Sequence, residues 1–441
     1  MPDVVRLGLA GVGTVGSSLV RMMERHGNDL AVRCGVPITI SGISARDRTK
    51  DRGIDLSGLA WFDDPMALAG DPGNNVFVEL IGGANGIALD SIKAALGAGK
   101  HIVTANKALL AEHGLDLARQ AEEAGVSLNF EAAAAGGIPI IKTLREALAG
   151  NTVARVYGIL NGTCNYILTR MEQDGISFEE CLKAAQQLGY AEADPTFDVE
   201  GYDAAHKLAI LTAISFGTEI DASSIYVEGI SSITPADIEA ADELGYRIKL
   251  LGVACRTESG IEQRVHPTMI PKSSTIAGID GVTNAVAVEA DFIGQLVLSG
   301  PGAGGDATAS SVMSDIADIA RGDRVGTFGR PASSLEPYRR AAIRLHEGGY
   351  YIRLAVFDRP GAFAAIAARM AEHNISLESI VQRRRAPRST APEHPVPVDP
   401  QPVILITYET TEDAIRQAFD AISRDGHIAD APKMIRIEQL G

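Results

Sequence analysis

Residues 189–211 read GYAEADPTFDVEGYDAAHKLAIL, with Glu192, Asp194, Asp198, Glu200 and Asp203 all ahead of a single lysine, Lys207. Asp203 and Lys207 are four residues apart, which on a helix puts them on one face, a turn from each other. An acid beside a lysine at the start of an apolar helix can be an ordinary ion pair. It can equally be a proton donor with its orienting carboxylate. The second use suits a reaction that builds negative charge on an oxygen, because a nearby ammonium group stabilises that charge and then supplies the proton. Asp198 is a further carboxylate partner for Lys207, while Asp194 and Glu200 read as capping or solvated charges. His206 points about 100° away around the helix and is read as structural.

The elements that must position this cluster begin at the N-terminus. Residues 4–10 form an apolar run of strand length, followed at once by Gly11, Val12, Gly13, Thr14, Val15 and Gly16, then by a helical pattern ended near Gly27. Strand, GxGxxG and helix in this order is the fingerprint of a dinucleotide site. Its glycines allow a tight turn, close approach of a pyrophosphate and close helix–strand packing, and the helix N-terminus faces the phosphates. The second strand, residues 38–44, is followed by Ser44, Arg46, Arg48 and Lys50 with only Asp47 between them. Where an acid would bind a ribose 2′-hydroxyl, these basic groups suit a 2′-phosphate. The reading favours NADP, with NAD as the alternative, and assigns Arg46 to the cofactor.

Further strand–helix units follow. Residues 76–81 end in Gly82-Gly83, and residues 101–105 lead into Asn106-Lys107 and another helix. Ligands of open parallel sheets sit at such strand ends, so Gly83, Ala105 and Lys107 are candidates. A lysine at a helix start is also a common surface feature. The run Glu131-Ala-Ala-Ala134-Ala-Gly136-Gly-Ile138-Pro139 is rich in small residues. Its carbonyls can hold a hard cation, or the run can simply be a packing joint. Asn161-Gly-Thr-Cys-Asn offers polar side chains to cap the next helix or to bind a polar ligand. Cys164 has no nearby base and reads as a small buried residue.

The chain has 441 residues, enough for about three domains. Its 46% hydrophobic content is that of an ordinary globular protein. A net charge of −16 argues against nucleic-acid binding, since no basic excess exists to displace phosphate counterions. Cys34, Cys164, Cys181 and Cys255 are scattered without metal-ligand spacing, so neither a zinc site nor a disulfide framework is expected. There is no signal-peptide pattern and no apolar run of the roughly 18–20 residues that cross a bilayer. The expectation is a cytoplasmic protein with no membrane partner.

Four motifs in one order behind the GxGTVG turn carry a resemblance over essentially the whole chain: VTANKALLA at 103–111, NGTCNYILTRM at 161–171, the 189–211 stretch and GPGAGGDATASSV at 300–312. Together they resemble homoserine dehydrogenase. The resemblance implies NAD(P)-dependent interconversion of L-aspartate 4-semialdehyde and L-homoserine, in threonine, methionine and isoleucine biosynthesis. It gives Lys207 the role of proton donor, makes Lys107 a second lysine near nicotinamide and substrate, and makes Asp203 and Glu192 substrate carboxylates. Glu192 would hold the substrate ammonium group. Gly302 and Gly189 match backbone positions near the cofactor. A monovalent cation such as sodium would sit on Glu131, Ala134, Gly136 and Ile138, largely through backbone oxygens. Two rival readings are a dehydrogenase of another amino-acid aldehyde and a catalytically silent nucleotide- and amino-acid-binding regulator. Retention of Lys107 and Lys207 with Asp203 argues against the silent regulator, since a sensor needs no proton donor.

The domain reading is a Rossmann-like dinucleotide domain over 1–135, rejoined by a helix at 306–321, and an α+β substrate and dimerisation domain with an open sheet over 136–321. A linker over 322–348 follows. Residues 349–441 give strand-helix-strand-strand-helix-strand with a DRPG turn, which resembles the ferredoxin-like ACT domain. That resemblance implies feedback inhibition by threonine; the alternative is that the module only assembles subunits, as a homodimer or homotetramer. Residues 383–401, rich in Pro and Arg, are expected to be a mobile hairpin extension.

Overall fold

The structure, a computed structural model, describes residues 3–341, 347–382 and 400–440. Contacts divide the chain into two compact units: the first holds Met1–Pro235, Leu250–His266 and Gly278–Arg340, and the second holds Ala236–Lys249, Pro267–Ala277 and Ala341–Gly441.

The first unit opens with six parallel strands: β1 (Val5–Ala10), β2 (Ile38–Ser44), β3 (Ala60–Phe62), β4 (Val76–Glu79), β5 (His101–Thr104) and β6 (Leu128–Asn129). Their order is β3-β2-β1-β4-β5-β6, so the chain reverses direction across the sheet between β1 and β4. Ligands of such sheets bind at that switch point, beyond the carboxyl ends of the strands. The intervening helices are α1 (Thr14–Cys34), α2 (Pro65–Gly70), α3 (Ile87–Gly97) and α4 (Lys107–Glu123). Leu7 and Leu9 of β1 are fully buried, as parallel strands covered on both faces require, and pack with Leu19 and Val20 of α1.

After the short helices α5 (Ala132–Ala135) and α6 (Ile140–Lys142) comes β7 (Val153–Ile159). Then follow α7 (Gly162–Asp174), α8 (Phe178–Gln187), α9 (Thr196–Val199), α10 (Tyr202–Phe216) and the short strand β8 (Tyr226–Val227). Helix α10 is apolar on nearly every face, with Leu208, Ile210 and Leu211 fully buried, as expected of an internal helix. It packs against α4, which brings residue 207 towards residue 107.

The first unit's second sheet takes β7, residues 250–257 of β9 (Tyr246–Thr257) and residues 260–266 of β10 (Gly260–Pro271). It is completed by β11 (Thr283–Ala290) and β12 (Gly294–Pro301), in the order β12-β11-β7-β9-β10 with β12 at the edge. The later helix α12 (Gly305–Arg321) buries Ala309, Val312, Met313 and Ile316 in the core formed by β1 and α1.

Residues 322–340, expected within a linker, are laid onto the first unit. Phe328 is buried against Phe130 with ring centroids 5.7 Å apart, Glu219 N donates to Glu336 O (2.8 Å), and Ile261 N donates to Arg339 O (2.8 Å). Backbone hydrogen bonds and one aromatic anchor leave no periodicity, which is why the sequence reads as linker there.

In the second unit α11 (Pro235–Glu243) is followed, beyond the first unit's elements, by β13 (Glu347–Phe357), α13 (Ala362–Glu372), β14 (Leu377–Gln382), β15 (Pro400–Thr407), β16 (Thr410–Thr411), α14 (Glu412–Asp425) and β17 (Lys433–Ile437). The strand order β17-β13-β15-β14 is that of a ferredoxin-like βαββαβ module. Tyr350, Ile352, Leu354 and Val356 alternate along β13 and pack with Ile366 and Met370 of α13 and Ile415 and Ile422 of α14. Residues 383–399, most of the expected hairpin extension, and residues 342–346 of the expected linker lie outside the described residues. No helix among the described residues is long and apolar enough to cross a membrane.

Candidate active site

The glycine turn between β1 and α1 has the shape that a bound pyrophosphate needs. Gly11 has φ +104°, and a Cβ there would lie 2.5 Å from Leu80 O, so only glycine fits. A Cβ on Gly16 would lie 2.2 Å from Gly11 O, which is the close helix–strand contact. A Cβ on Gly13 would meet nothing within 4 Å, so that side of its backbone is open to a ligand. Helix α1 starts at Gly13 without a side-chain cap, so its first N–H groups are free for phosphate oxygens. Gly11, Val12, Gly13 and Arg46 line a cavity of about 560 Å³, with Lys50 and Arg52 on its wall. Arg52 donates from Nε to Val12 O (2.9 Å) and from Nη2 to Asp47 O (2.6 Å), tying the basic loop to the glycine turn. Arg48 and Arg52 both lie over the Trp61 ring, 5.6 and 5.8 Å from its centroid.

A second cavity of about 570 Å³ collects Lys107, Asp198, Asp203, Lys207, Gly189 and Gly302, with Val15, Ala105 and Gly136 on its walls. Asp203 is its centre. Lys207 Nζ donates to Asp203 Oδ2 (2.7 Å) and to Leu160 O (2.7 Å), and Lys107 Nζ lies 3.1 Å from Asp203 Oδ1. Asn161 Nδ2 donates to Asp203 Oδ2 (2.9 Å) and to Asp198 Oδ1 (2.8 Å). Burial alone pushes the Asp203 carboxyl up, but the ammonium groups of Lys207 and Lys107 outweigh it and hold the acid ionised, well below the ordinary carboxylate range. Asp198 moves the other way: burial raises it, the Asn161 hydrogen bond opposes that, and the Asp203 charge adds to the rise. The partner of Lys207 is thus Asp203; Asp198, carried by α9, accepts from Asn161 instead.

Asn161 also caps α7, its Oδ1 accepting from Cys164 N (2.8 Å). That cap leaves the N–H groups of Gly162 and Thr163, both on the cavity wall, at the start of the helix. Lys107 is placed by a buried relay. Glu79, fully buried, accepts from Ile81 N (2.7 Å), Gly82 N (2.9 Å) and Thr104 Oγ1 (2.6 Å). Asn106 then donates from Nδ2 to Gly83 O (2.7 Å) and caps α4 through Leu109 N (3.2 Å). Gly83 therefore bounds the β4 end of the site without lining the cavity, as Thr14 does at the start of α1.

Glu192 is exposed and stands outside the cavity wall, its carbonyl accepting from Gln186 Nε2 (3.0 Å). The structure does not bring it together with Asp203 and Lys207, because the segment before α9 leads the chain outward. His206 packs edge-on against Phe197, ring centroids 5.4 Å apart, and burial followed by the charge of Lys107 pushes its imidazole down. Cys164 is fully buried and, by that burial, its thiol is pushed well up. Asn161, Arg52, Thr163 and Asn284 were not assigned as site residues from the sequence. Asn161 has a cap signature, Arg52 is one more base in a basic loop, and Asn284 has no local signal.

The residues matched to a cation site divide. Gly136, with φ +58°, lines the cavity and its carbonyl accepts from Ser311 Oγ (2.6 Å). Ala134 and Ile138 are buried beside it. Glu131 spends its carboxylate on Ile141 N and Lys142 N, both at 2.8 Å, while its own N–H donates to Asp315 Oδ2 (2.7 Å). Burial raises the Glu131 carboxyl to about 7 and the Asp315 carboxyl, which also faces the charge of Glu131, to about 8. Lys142 pairs with Asp318 and donates to Ser314 Oγ (2.6 Å). Any cation here would be held by main-chain oxygens.

The family model described as the homoserine dehydrogenase NAD-binding domain matches residues 11–131, that of homoserine dehydrogenase matches 139–317, and that of the ACT domain matches 350–398. A homoserine dehydrogenase of Neisseria gonorrhoeae is 44% identical over 99% of both chains, and one of Pseudomonas aeruginosa is 43% identical over 99% of both. A crystal structure of a homoserine dehydrogenase from Thiobacillus denitrificans has a TM-score of 0.92 at 41% identity, covering 99% of each chain. A hyperthermophilic archaeal homoserine dehydrogenase in complex with NADPH has a TM-score of 0.62 at 26% identity, over 74% of this chain and 99% of that one.

Proposed function

This chain belongs to the homoserine dehydrogenase family, and on that premise we propose that its cleft interconverts L-aspartate 4-semialdehyde and L-homoserine with Lys207 as the proton donor. The observation that carries the assignment is the environment of Lys207. An ammonium group has three N–H donors; Leu160 O and Asp203 Oδ2 take two of them, and the side chain borders the cavity. The remaining donor is the one offered to the substrate oxygen. A bound nicotinamide dinucleotide supplies the hydride in the reducing direction and takes it up in the other.

In reduction, Lys207 hydrogen-bonds the aldehyde oxygen, stabilises the negative charge that grows there, and transfers its proton to give the alcohol. Asp203 keeps Lys207 in place through their 2.7 Å hydrogen bond. Lys107, held by the other oxygen of Asp203, adds a second positive charge at the same end of the cleft. The N–H groups of Gly162 and Thr163 suit the α-carboxylate of an amino-acid substrate. Asp198, on the cleft wall, is the carboxylate proposed for its ammonium group, together with Glu192, which stands outside that wall. The open backbone at Gly13, with Gly11, Val12, Thr14, Val15 and Gly16, would hold the pyrophosphate. Gly83, Ala105, Gly189 and Gly302 would border the nicotinamide end.

NADP is the proposed preference, supported by Arg46, Lys50 and Arg52 on the cavity beyond β2. A monovalent cation such as sodium on the carbonyls of residues 131–138 belongs to the same proposal, as does threonine as effector of the ACT module. Self-association is supported by the edge strand β12 and by Phe292, 86% exposed at the tip of the β11–β12 hairpin.

The test follows NADPH and NADH oxidation with aspartate 4-semialdehyde. The wild type should turn over, with NADPH the better cofactor, and Lys207→Ala should lose about 10³-fold or more in turnover. No semialdehyde-dependent oxidation by the wild type would sink the activity. A variant with near-full turnover would remove Lys207 from its role.

A further inference from the structure

We infer that Asn284 is a ligand-binding residue of the cleft, engaging one ligand group through the donor and the acceptor of its side-chain amide together. The inference deepens the dehydrogenase reading and rests on it. Asn284 lies on β11, 1% exposed, and neither Oδ1 nor Nδ2 has a hydrogen-bond partner among the described residues. Buried amides almost always find partners. This one borders the cleft instead, between Gly162 at the start of α7 and Gly302 after β12.

Its position is fixed by close packing. A Cβ on Gly302 would lie 2.0 Å from Asn284 Nδ2, and one on Gly162 would lie 3.4 Å from Oδ1. The amide therefore occupies the space that a side chain at 302 would need. The residues that follow it on β11, Ala285, Val286, Ala287 and Val288, are buried and apolar, while Thr283 before it is polar and half-buried. Packing alone would ask for one more such residue at 284. Ala285 pairs with Ile159, so Asn284 neighbours the strand end whose Leu160 carbonyl holds Lys207.

An amide edge with an adjacent donor and acceptor is matched by a ligand group that presents an acceptor beside a donor. Two groups in the proposed reaction do so: the carboxamide of the nicotinamide, and the α-amino and α-carboxylate pair of the amino acid. A donor and an acceptor left unpaired on either side reject a ligand that lacks them, which makes Asn284 a discriminating contact.

The test uses the full chain with Asn284→Leu, which keeps the size and removes both polar atoms, and Asn284→Asp, which removes the donor. KM and kcat are measured for homoserine and for NADP in the oxidising direction, beside thermal melting. Asn284→Leu should lose about 10- to 100-fold in kcat/KM, the effect of one or two hydrogen bonds, with a melting temperature no lower than the wild type's. If the partner is the nicotinamide, KM for NADP rises and the preference for NADP over its 3-acetylpyridine analogue shrinks. If it is the amino acid, KM for homoserine rises and that preference is unchanged. Kinetic constants within about twofold of wild type in both variants overturn the inference, as does a lowered melting temperature with unchanged kinetics. A wild type that does not oxidise homoserine defeats the family activity instead. NADPH and homoserine titrations of wild type and Asn284→Leu then decide the inference separately, with equal binding of both ligands overturning it.

Discussion

The first unit holds two buried clusters made from the same residue types. One joins Asp203 to Lys207, Lys107 and Asn161; the other joins Glu131 and Asp315 to Lys142 and Asp318. Around Asp203 two ammonium groups face one carboxylate, and the acid is held ionised despite its burial. Around Asp315 carboxyls face each other, and both Glu131 and Asp315 are pushed up towards neutrality. The first cluster borders the cleft, while the second fastens α12 to the segment that follows β6. Burial and two nearby cations are common to both; direct ammonium contact with Asp203, against only the more remote charges of Lys142 and Arg145 and a facing acid at Asp315, separates a charged, ligand-facing site from a structural tie.

The largest effect that separates them is catalytic. Asp203→Asn should lower turnover about 10²-fold or more, because Lys207 loses its orienting carboxylate and is left beside Lys107. Asp315→Asn should leave turnover within about threefold, since its amide can still accept from Glu131 N. Steady-state kinetics at saturating homoserine checks both. Near-full turnover by Asp203→Asn would reduce the cleft cluster to an ordinary ion pair.

A second difference lies in the pH dependence of stability. Asp315 has a folded value of about 8 against an ordinary 3.8. Between those values the folded chain keeps a proton that the unfolded chain has lost. Its contribution to stability therefore falls as pH rises from about 4 to about 8 and is level above that. Asp203 has the opposite sign: its contribution is full above 3.8 and fades as pH falls through the depressed folded value. Denaturant melts from pH 4 to 9 should show the wild-type excess over Asp315→Asn declining across that range, and the excess over Asp203→Asn holding steady. Parallel curves for all three proteins would remove the contrast.

The smallest effect is a ligand shift. Homoserine with NADP should raise the wild-type melting temperature by a few degrees, roughly the size expected for ligand near 100 Kd. Asp315→Asn should keep that shift and Asp203→Asn should lose most of it. An equal shift in both would mean that the cleft cluster does not contact ligand.

Legibility from the sequence varied by element. The strand and glycine turn at residues 5–16 were readable because Gly11 and Gly16 answer local backbone demands; the helix after them, expected to end near Gly27, instead runs on to Cys34 and stops at Gly35 in the left-handed region. The Asp203–Lys207 pairing was readable because helical spacing alone brings the two together. Asn161 could be seen as a helix cap or a ligand-facing polar group; that its amide joins Asp198 to Asp203 depends on α9 and α10 folding beside the start of α7. Residues 322–340 read as linker, since main-chain bonds, together with the side chains of Phe328 and Tyr338, attach them without any periodic side-chain pattern. Asn284 was silent, one of three polar letters on β11 with Thr283 and Glu289.

The sequence by itself determined the dinucleotide turn, the helical register of acid and lysine, the βαββαβ order of the terminal module and, through its motifs, the family. These depend on local geometry or on residue order. Tertiary structure decided which acid pairs with Lys207, that Lys107 reaches Asp203 from another helix, that Glu192 stands outside the cleft, and that a buried, unpaired amide lies in its wall. Each of these is a distance between segments remote in the chain. Whether a carboxyl stays charged depends on those distances, because burial and neighbouring charge enter with opposite signs and only the assembled site fixes their balance.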